Sequence, residues 1–245
     1  AGTSRLFAPP ERSYEPFPGE EEPVNETNFT HGSRIRRREV ALVFNAIDSV
    51  EGLTQILTTL NDYDERCTFF VNGEFIRRNP EATQELAGSG HEIGSLFYAY
   101  FNMTDSRYRI DKEFIKRGLA RNEDEYFQVT GKELSLLWHA PYYFINSEII
   151  GASEEMSYTY VGRDVDSLDW VPKSERSDGM YRPSRELVER ILRKKQPGSI
   201  IPIRVGTVEK GREDYLFQFL DLLINGLISQ GYEIVPVSSL IHHAK

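Results

Sequence analysis

The stretch Val40-Ala41-Leu42-Val43-Phe44-Asn45-Ala46-Ile47-Asp48-Ser49 decides the fold. Residues 40–44 form an apolar run too short for a helix and rich in residues that favour extended backbone, and Asn45 ends it abruptly. Such a run reads as a buried strand. In alternating α/β folds ligands sit just beyond the carboxyl ends of buried strands, so residues 45–49 are where a site is expected.

Working outward, the same alternation continues to the end of the chain. Residues 50–61 carry Leu53, Ile56, Leu57 and Leu60 at helical spacing, and 67–71 read as a second strand. A helix over 80–88 starts at a proline and stops at a glycine. Further strands are predicted at 91–94, 134–138, 158–161, 199–203 and 232–235, with helices at 110–126, 147–155, 184–193 (capped by Ser184) and 213–228 between them. Repeated β-α units imply parallel strands with helices outside. One irregular α/β barrel of about seven parallel strands fits this count better than two domains.

Composition bounds the rest. A chain of 245 residues, 39% apolar and 27% charged, is large enough for one full core and reads as globular. No stretch approaches the roughly 20 apolar residues of a membrane span. A net charge of -9 argues against a nucleic-acid surface, and the short basic cluster Arg34, Arg36, Arg37, Arg38 reads as a solvated edge. The lone cysteine, Cys67, excludes an internal disulfide and sits in an apolar strand as a small core residue. Residues 1–35 differ from the remainder: Pro9, Pro10, Pro16, Pro18 and Pro23 alternate with Glu11, Glu15, Glu20, Glu21 and Glu22. They are expected to form an arm or linker before a domain at 36–245, with an upstream module before it. Phe7, Tyr14, Phe17 and Phe29 suggest that part of the arm packs on the domain. No basic-apolar leader opens the chain, which suits a mature, intracellular or partial sequence.

Several separated strings narrow the family. Thr68-Phe69-Phe70-Val71-Asn72-Gly73 and Gly90-His91-Glu92-Ile93-Gly94 follow the first strand in the order and spacing of the polysaccharide deacetylase (NodB homology) family, carbohydrate esterase family 4. The chain resembles that family from about residue 36 to 242. The resemblance implies a NodB-like barrel, an N-acetylated glycan as partner and an extracytoplasmic setting, in the bacterial periplasm or at the cell surface. It also implies a set of site positions, most of which carry other residues here. The first motif in relatives, roughly T-F-D-D-G, delivers a general base and a metal ligand; the matching residues are Asn45 and Ala46. An amide cannot take a proton from water near neutral pH, and a methyl group cannot bind a cation. The second motif supplies two metal-binding histidines, and those positions read Leu96 and Tyr100, with His91 structural. The third motif's arginine becomes His139, in His139-Ala140-Pro141-Tyr142. The fourth persists as Asp166-Ser167-Leu168-Asp169-Trp170; in relatives its second aspartate holds the catalytic-acid histidine and the tryptophan walls the acetyl pocket. The fifth motif's histidine falls on Arg204, which cannot act as an acid near pH 7.

Base, metal ligands and acid are thus replaced together, so no metal or other cofactor is expected. Three functions follow. The first is a glycan-binding pseudoenzyme using Tyr100, Trp138, Tyr142, Tyr143, Asp166 and Trp170, with Phe97, Tyr98 and Phe101 nearby, since flat apolar rings beside polar groups suit sugar faces. The second is an N-acetyl sugar deacetylase remodelled around Asp48, His139, Asp164 and Asp166; the third is a structural or protein-binding module. Arg204 is expected to replace the lost positive charge, its guanidinium bonding Asp169 or Asp166 and filling the pocket.

Overall fold

In the computed structural model, which describes residues 12–245, the apolar run at 40–44 belongs to the central strand β1, Glu39–Ala46, with all eight residues buried. It pairs in parallel with β2 (Thr68–Val71), β6 (Ile200–Val205) and β7 (Glu233–Ile234). Beyond β2 lie β3 (Glu92–Ser95), β4 (Leu137–Trp138) and β5 (Thr159–Tyr160), giving the order β5-β4-β3-β2-β1-β6 with β7 also on β1. All the pairings are parallel, and the sheet curls into a barrel wall flanked by helices, as the seven predicted strands imply. Strands β4 and β5 are two residues each, shorter than the apolar runs around them.

Side-chain alternation along β1 divides the core. Val40, Leu42, Phe44 and Ala46 point into the layer beneath the helices, whereas Ala41 and Val43 point into the barrel with Phe70, Leu96, Val161 and Ile200. A third apolar cluster joins Phe97, Ile115, Leu119, Trp138, Ile149 and Tyr160.

The helices are α1 (Leu53–Asp62), α2 (Gly73–Arg78), α3 (Pro80–Gly88), α4 (Lys112–Thr130), α5 (Ser147–Glu155), α6 (Ser184–Lys194), α7 (Leu220–Ser229) and α8 (Val237–Ala244). Asp111 caps α4 by accepting the Phe114 N–H at 2.8 Å, and Asn146 caps α5 by accepting the Ile149 N–H at 3.0 Å. Ser184 does not cap α6. It is the first helical residue, and its amide donates to Asp214 Oδ1 at 2.9 Å, so a distant loop supplies the cap. The helix predicted over 213–228 starts as a 3-10 turn at Leu216–Phe219, and α2 and α8 lacked a sequence signal of their own. Val237 and Leu240 of α8 pack into the barrel interior. Among the described residues no helix is long and apolar enough to cross a membrane.

The barrel closes through residues counted with the arm on composition. Edge strands β5 and β6 are bridged by residues 29–32: the Phe29 N–H donates to Tyr160 O (3.0 Å), the Gly162 N–H to Phe29 O (2.9 Å), and the Gly32 N–H to Gly198 O (2.8 Å). Gly198 has φ +79, and a Cβ there would lie 2.6 Å from the Gly32 carbonyl, so both its backbone angle and the close approach require glycine. Arg34 is buried rather than solvated. Its guanidinium donates to both oxygens of Asp164 (3.0 and 2.9 Å), to Pro197 O (3.1 Å) and to Glu22 (2.8 Å), and the Ser199 hydroxyl donates to the same aspartate. Upstream, Phe29 is buried, Phe17 lies half-buried under the Arg38 guanidinium at 3.9 Å, and Tyr14 is exposed. Phe7, Pro9, Pro10 and Glu11 lie outside the described residues.

Removing one partner of a buried ion pair strands the other, at a cost of about 3–5 kcal/mol. Arg34→Ala is therefore expected to lower the unfolding free energy obtained from urea denaturation by an amount in that range. Arg36→Ala, at an exposed position in the same basic cluster, should change stability by no more than about 0.5 kcal/mol.

Candidate functional site

At the carboxyl ends of β1 and β6 the barrel opens into a cavity of about 510 Å³. Asn45 lines it from β1, Asp48 from the turn just after it and Arg204 from β6; the loops after β3, β4 and β5 add Tyr100, then Tyr142, Tyr143 and Phe144, then Arg163, Asp166, Ser167, Asp169 and Trp170.

At the end of β1, Asn45 lies on the barrel side and reaches this space, followed by Ile47 just beyond the strand. The alternation that carries Val43 inward does the same for Asn45 and sends Ala46 to the helix layer, fully buried. The two ends of the Asn45 amide lie 3.0 Å from Tyr143 Oη and 2.9 Å from His139 Nε2. His139 is buried behind Asn45, with Nδ1 donating to Ala140 O at 3.0 Å, and its ring stacks on Tyr143 with centroids 4.1 Å apart. Burial pushes the imidazole down to about 3 and the Tyr143 phenol well above its ordinary value.

The aspartates have distinct tasks. Asp169 is buried, accepting from the Ser167 hydroxyl (2.9 Å) and the Arg204 backbone N–H (2.6 Å); burial raises its pKa, and these two donors oppose the rise. Asp166 organises the loop after β5: it accepts from the Leu168 N–H (3.0 Å) and Trp170 Nε1–H (3.1 Å) and pairs with Arg163 (3.1 Å). Asp164 does not line the cavity and is held by Arg34. Asp48 faces the Arg204 guanidinium at 3.5 Å, and its Oδ1 has no hydrogen-bond partner.

Arg204 departs from its expected role. The guanidinium donates from Nε to Thr207 O (3.0 Å) and turns to Asp48, while Asp169 is met by the backbone amide of residue 204. The carboxylate is thus satisfied by an amide that any residue but proline would provide, and the cavity stays open. Trp138 is also corrected: it is fully buried in the third apolar cluster, with Nε1–H donating to Ser153 Oγ at 2.7 Å. Phe97, Tyr98 and Phe101 pack in or against that cluster, and Leu96 is buried in the barrel interior. Of the aromatic residues expected at the site, Tyr100, Tyr142, Tyr143 and Trp170 line the cavity. Burial pushes the Tyr100 phenol up to about 12. His91 lies elsewhere, accepting the Cys67 N–H at 3.4 Å, and burial pushes its ring down to about 4.

Tyr142 (φ 60), Tyr143 (φ 62) and Leu168 (φ 62) hold left-handed backbone without being glycine. Each such residue costs of order 1 kcal/mol or more, and such residues cluster where packing enforces a functional geometry. Sequence reasoning missed Phe144 and Arg163 at this site. Phe144 extends the Tyr142-Tyr143 run, and Arg163 stands three residues before Asp166, which were the available signals.

Comparison with known proteins agrees with this architecture. The sequence profile described as polysaccharide deacetylase matches residues 33–161. A peptidoglycan-N-acetylglucosamine deacetylase of Bacillus cereus is 23% identical over 222 residues, covering 91% of this chain and 75% of that protein. Among solved structures, a family 4 carbohydrate esterase pseudoenzyme from Bacillus anthracis superposes with a TM-score of 0.75 at 20% identity, covering 90% of this chain and 70% of that one. The Bacillus subtilis family 4 carbohydrate esterase PdaA gives a TM-score of 0.76 at 20% identity, covering 90% and 87%. With the family profile spanning more than half of its length, the chain belongs to the polysaccharide deacetylase family.

Proposed function

We propose that this chain binds an N-acetylated glycan in the cavity and has given up the family's metal-dependent hydrolysis. The observation that carries this reading is the neutral network at the position of the family's base. His139 has acceptors facing both ring nitrogens if Asn45 keeps its oxygen toward Nε2, which would require an imidazolium. Burial opposes that charge, with Arg163 adding a smaller push in the same direction. A half-turn of the Asn45 amide resolves the conflict: its NH2 then donates to a neutral Nε2, and the Tyr143 hydroxyl donates to its oxygen. Asn45 is then a neutral link, its NH2 bonded to His139 and its oxygen to Tyr143, with no capacity to take a proton from water.

The residues at the metal-ligand positions do not fit a metal. Ala46 and Leu96 are buried in opposite apolar layers, and Tyr100 is a neutral phenol at physiological pH. Among the described residues no three His, Cys, Asp or Glu side chains converge as a ligand set. Glycan binding is supported by the cavity rim, where Tyr142 and Trp170 are 48% and 44% exposed beside Asp48, Arg163 and Arg204. Rings with one free face and polar groups at their edges suit a sugar. The peptidoglycan deacetylases among the relatives support a cell-wall glycan and an extracytoplasmic setting.

The remodelled-enzyme reading has less support. Asp164 and Asp166 are tied up in structural pairs and His139 lies buried behind Asn45, which leaves Asp48 as the carboxylate for such chemistry.

Three outcomes are expected. In calorimetry, N-acetylglucosamine oligomers bind in the millimolar range, about 4 kcal/mol, and Trp170→Ala weakens binding about tenfold; no heat and no spectral change would favour the structural module instead. Acetate release from acetylated chitooligosaccharides stays at background with zinc added, whereas turnover abolished by Asp48→Asn would establish the remodelled enzyme. In NMR the His139 ring stays neutral to pH about 5. Because the unfolded ring takes a proton near 6.5 and the folded ring only near 3, unfolding takes up a proton between these values. The His139 contribution to stability is therefore full above pH about 6.5 and declines by about 1.4 kcal/mol per pH unit below it. A His139 ring titrating near 6.5 would refute the neutral network.

A further inference from the structure

A second, smaller cavity of about 240 Å³ adjoins the first. The two share Tyr142, Tyr143, Phe144 and Arg163, and the smaller one is completed by Asn28 and Thr30 of the N-terminal arm, with Tyr160 and Gly162. Glycine at 162 lets the arm lie close along this wall: a Cβ there would fall 2.5 Å from Asn28 Oδ1 and 2.8 Å from Thr30 Cγ2.

Three features make this compartment suited to a sugar. The Tyr142 and Phe144 rings, 48% and 51% exposed, lie within 20° of parallel with centroids 6.3 Å apart, and both border each cavity. Arg163, held by Asp166 and stacked 4.9 Å over Tyr143, also belongs to both. Asn28, which borders the cavity, keeps an acceptor in reserve: its Oδ1 is buried against Gly162 with no hydrogen-bond partner in the protein.

Building on the glycan-binding reading, we propose that this compartment is a second sugar subsite, with the arm supplying Asn28 and Thr30. The ligand is then an oligosaccharide longer than a disaccharide lying across the Tyr142–Phe144 segment, the main cavity of about 510 Å³ taking a disaccharide by itself and the compartment of about 240 Å³ the sugar beyond it. Both subsites recognise neutral pyranose faces and hydroxyl or acetamide groups.

The test is calorimetric titration of the 245-residue chain with the di- and tetrasaccharide of N-acetylglucosamine. The tetrasaccharide is expected to bind about tenfold more tightly, the gain from one further set of ring and hydrogen-bond contacts. The Asn28→Ala/Thr30→Ala variant should bind the two sugars alike. The Thr30 methyl resonance of the unmodified chain should shift with the tetrasaccharide and not with the disaccharide, a readout independent of how the variant folds. Equal affinities for the two sugars, a length dependence that survives in the double variant, or an unmoved Thr30 methyl would overturn the subsite while leaving binding in the main cavity intact. Failure of both sugars to bind would overturn the glycan reading and this proposal together.

Discussion

The structure depends on one strand being buried on both faces. β1 hydrogen-bonds to β2, β6 and β7, so the positions of all three are set by its backbone. A parallel strand covered on both sides tolerates no polar side chain until it reaches the sheet's edge, and the run from Val40 to Phe44 meets that condition. The period of two then does the sorting. It points Ala41, Val43 and Asn45 into the barrel and Leu42, Phe44 and Ala46 into the helix layer, and so decides which of two adjacent residues reaches the cavity.

A second dependence runs through the acidic arm. Burying Arg34 and Lys195 would be costly without countercharge. Arg34 finds it in Asp164 and Glu22, and Lys195 in Glu15 at 3.0 Å, with the Tyr232 ring 4.5 Å from its ammonium. Glu15 and Glu22 of the arm thus each have a specific cationic partner. Because Asp164 lies between Arg163 and the loop carrying Asp166 and Trp170, the same closure holds the cavity's far wall in place.

At the cavity itself, charge is arranged for shape. Asp166 joins Arg163, the Leu168 amide and Trp170 into one rigid loop, and Asp169 is satisfied by a hydroxyl and a backbone amide. The strained backbone at Tyr142, Tyr143 and Leu168 is sustained by these contacts and by the Tyr143–His139 stack.

Much of this was legible in the chain. Apolar runs of four or five residues alternating with helical spacing specified parallel strands and outer helices, because hydrophobic period follows directly from backbone geometry. The separated motifs located Asn45, Tyr100, Tyr142, Asp166, Asp169 and Trp170 at strand ends, where the cavity lies. Sequence could not tell that Trp138 faces the core and Trp170 the solvent, since a large aromatic residue serves either place. It could not assign the Arg204 guanidinium to Asp48 and Thr207 rather than Asp169, because a long side chain chooses among partners brought near from loops far apart in sequence. Nor could it show that residues 29–34 of a proline- and glutamate-rich arm close the barrel. Period and composition are local properties of the chain, whereas pairing between edges and the neutralisation of buried charge exist only once distant segments meet.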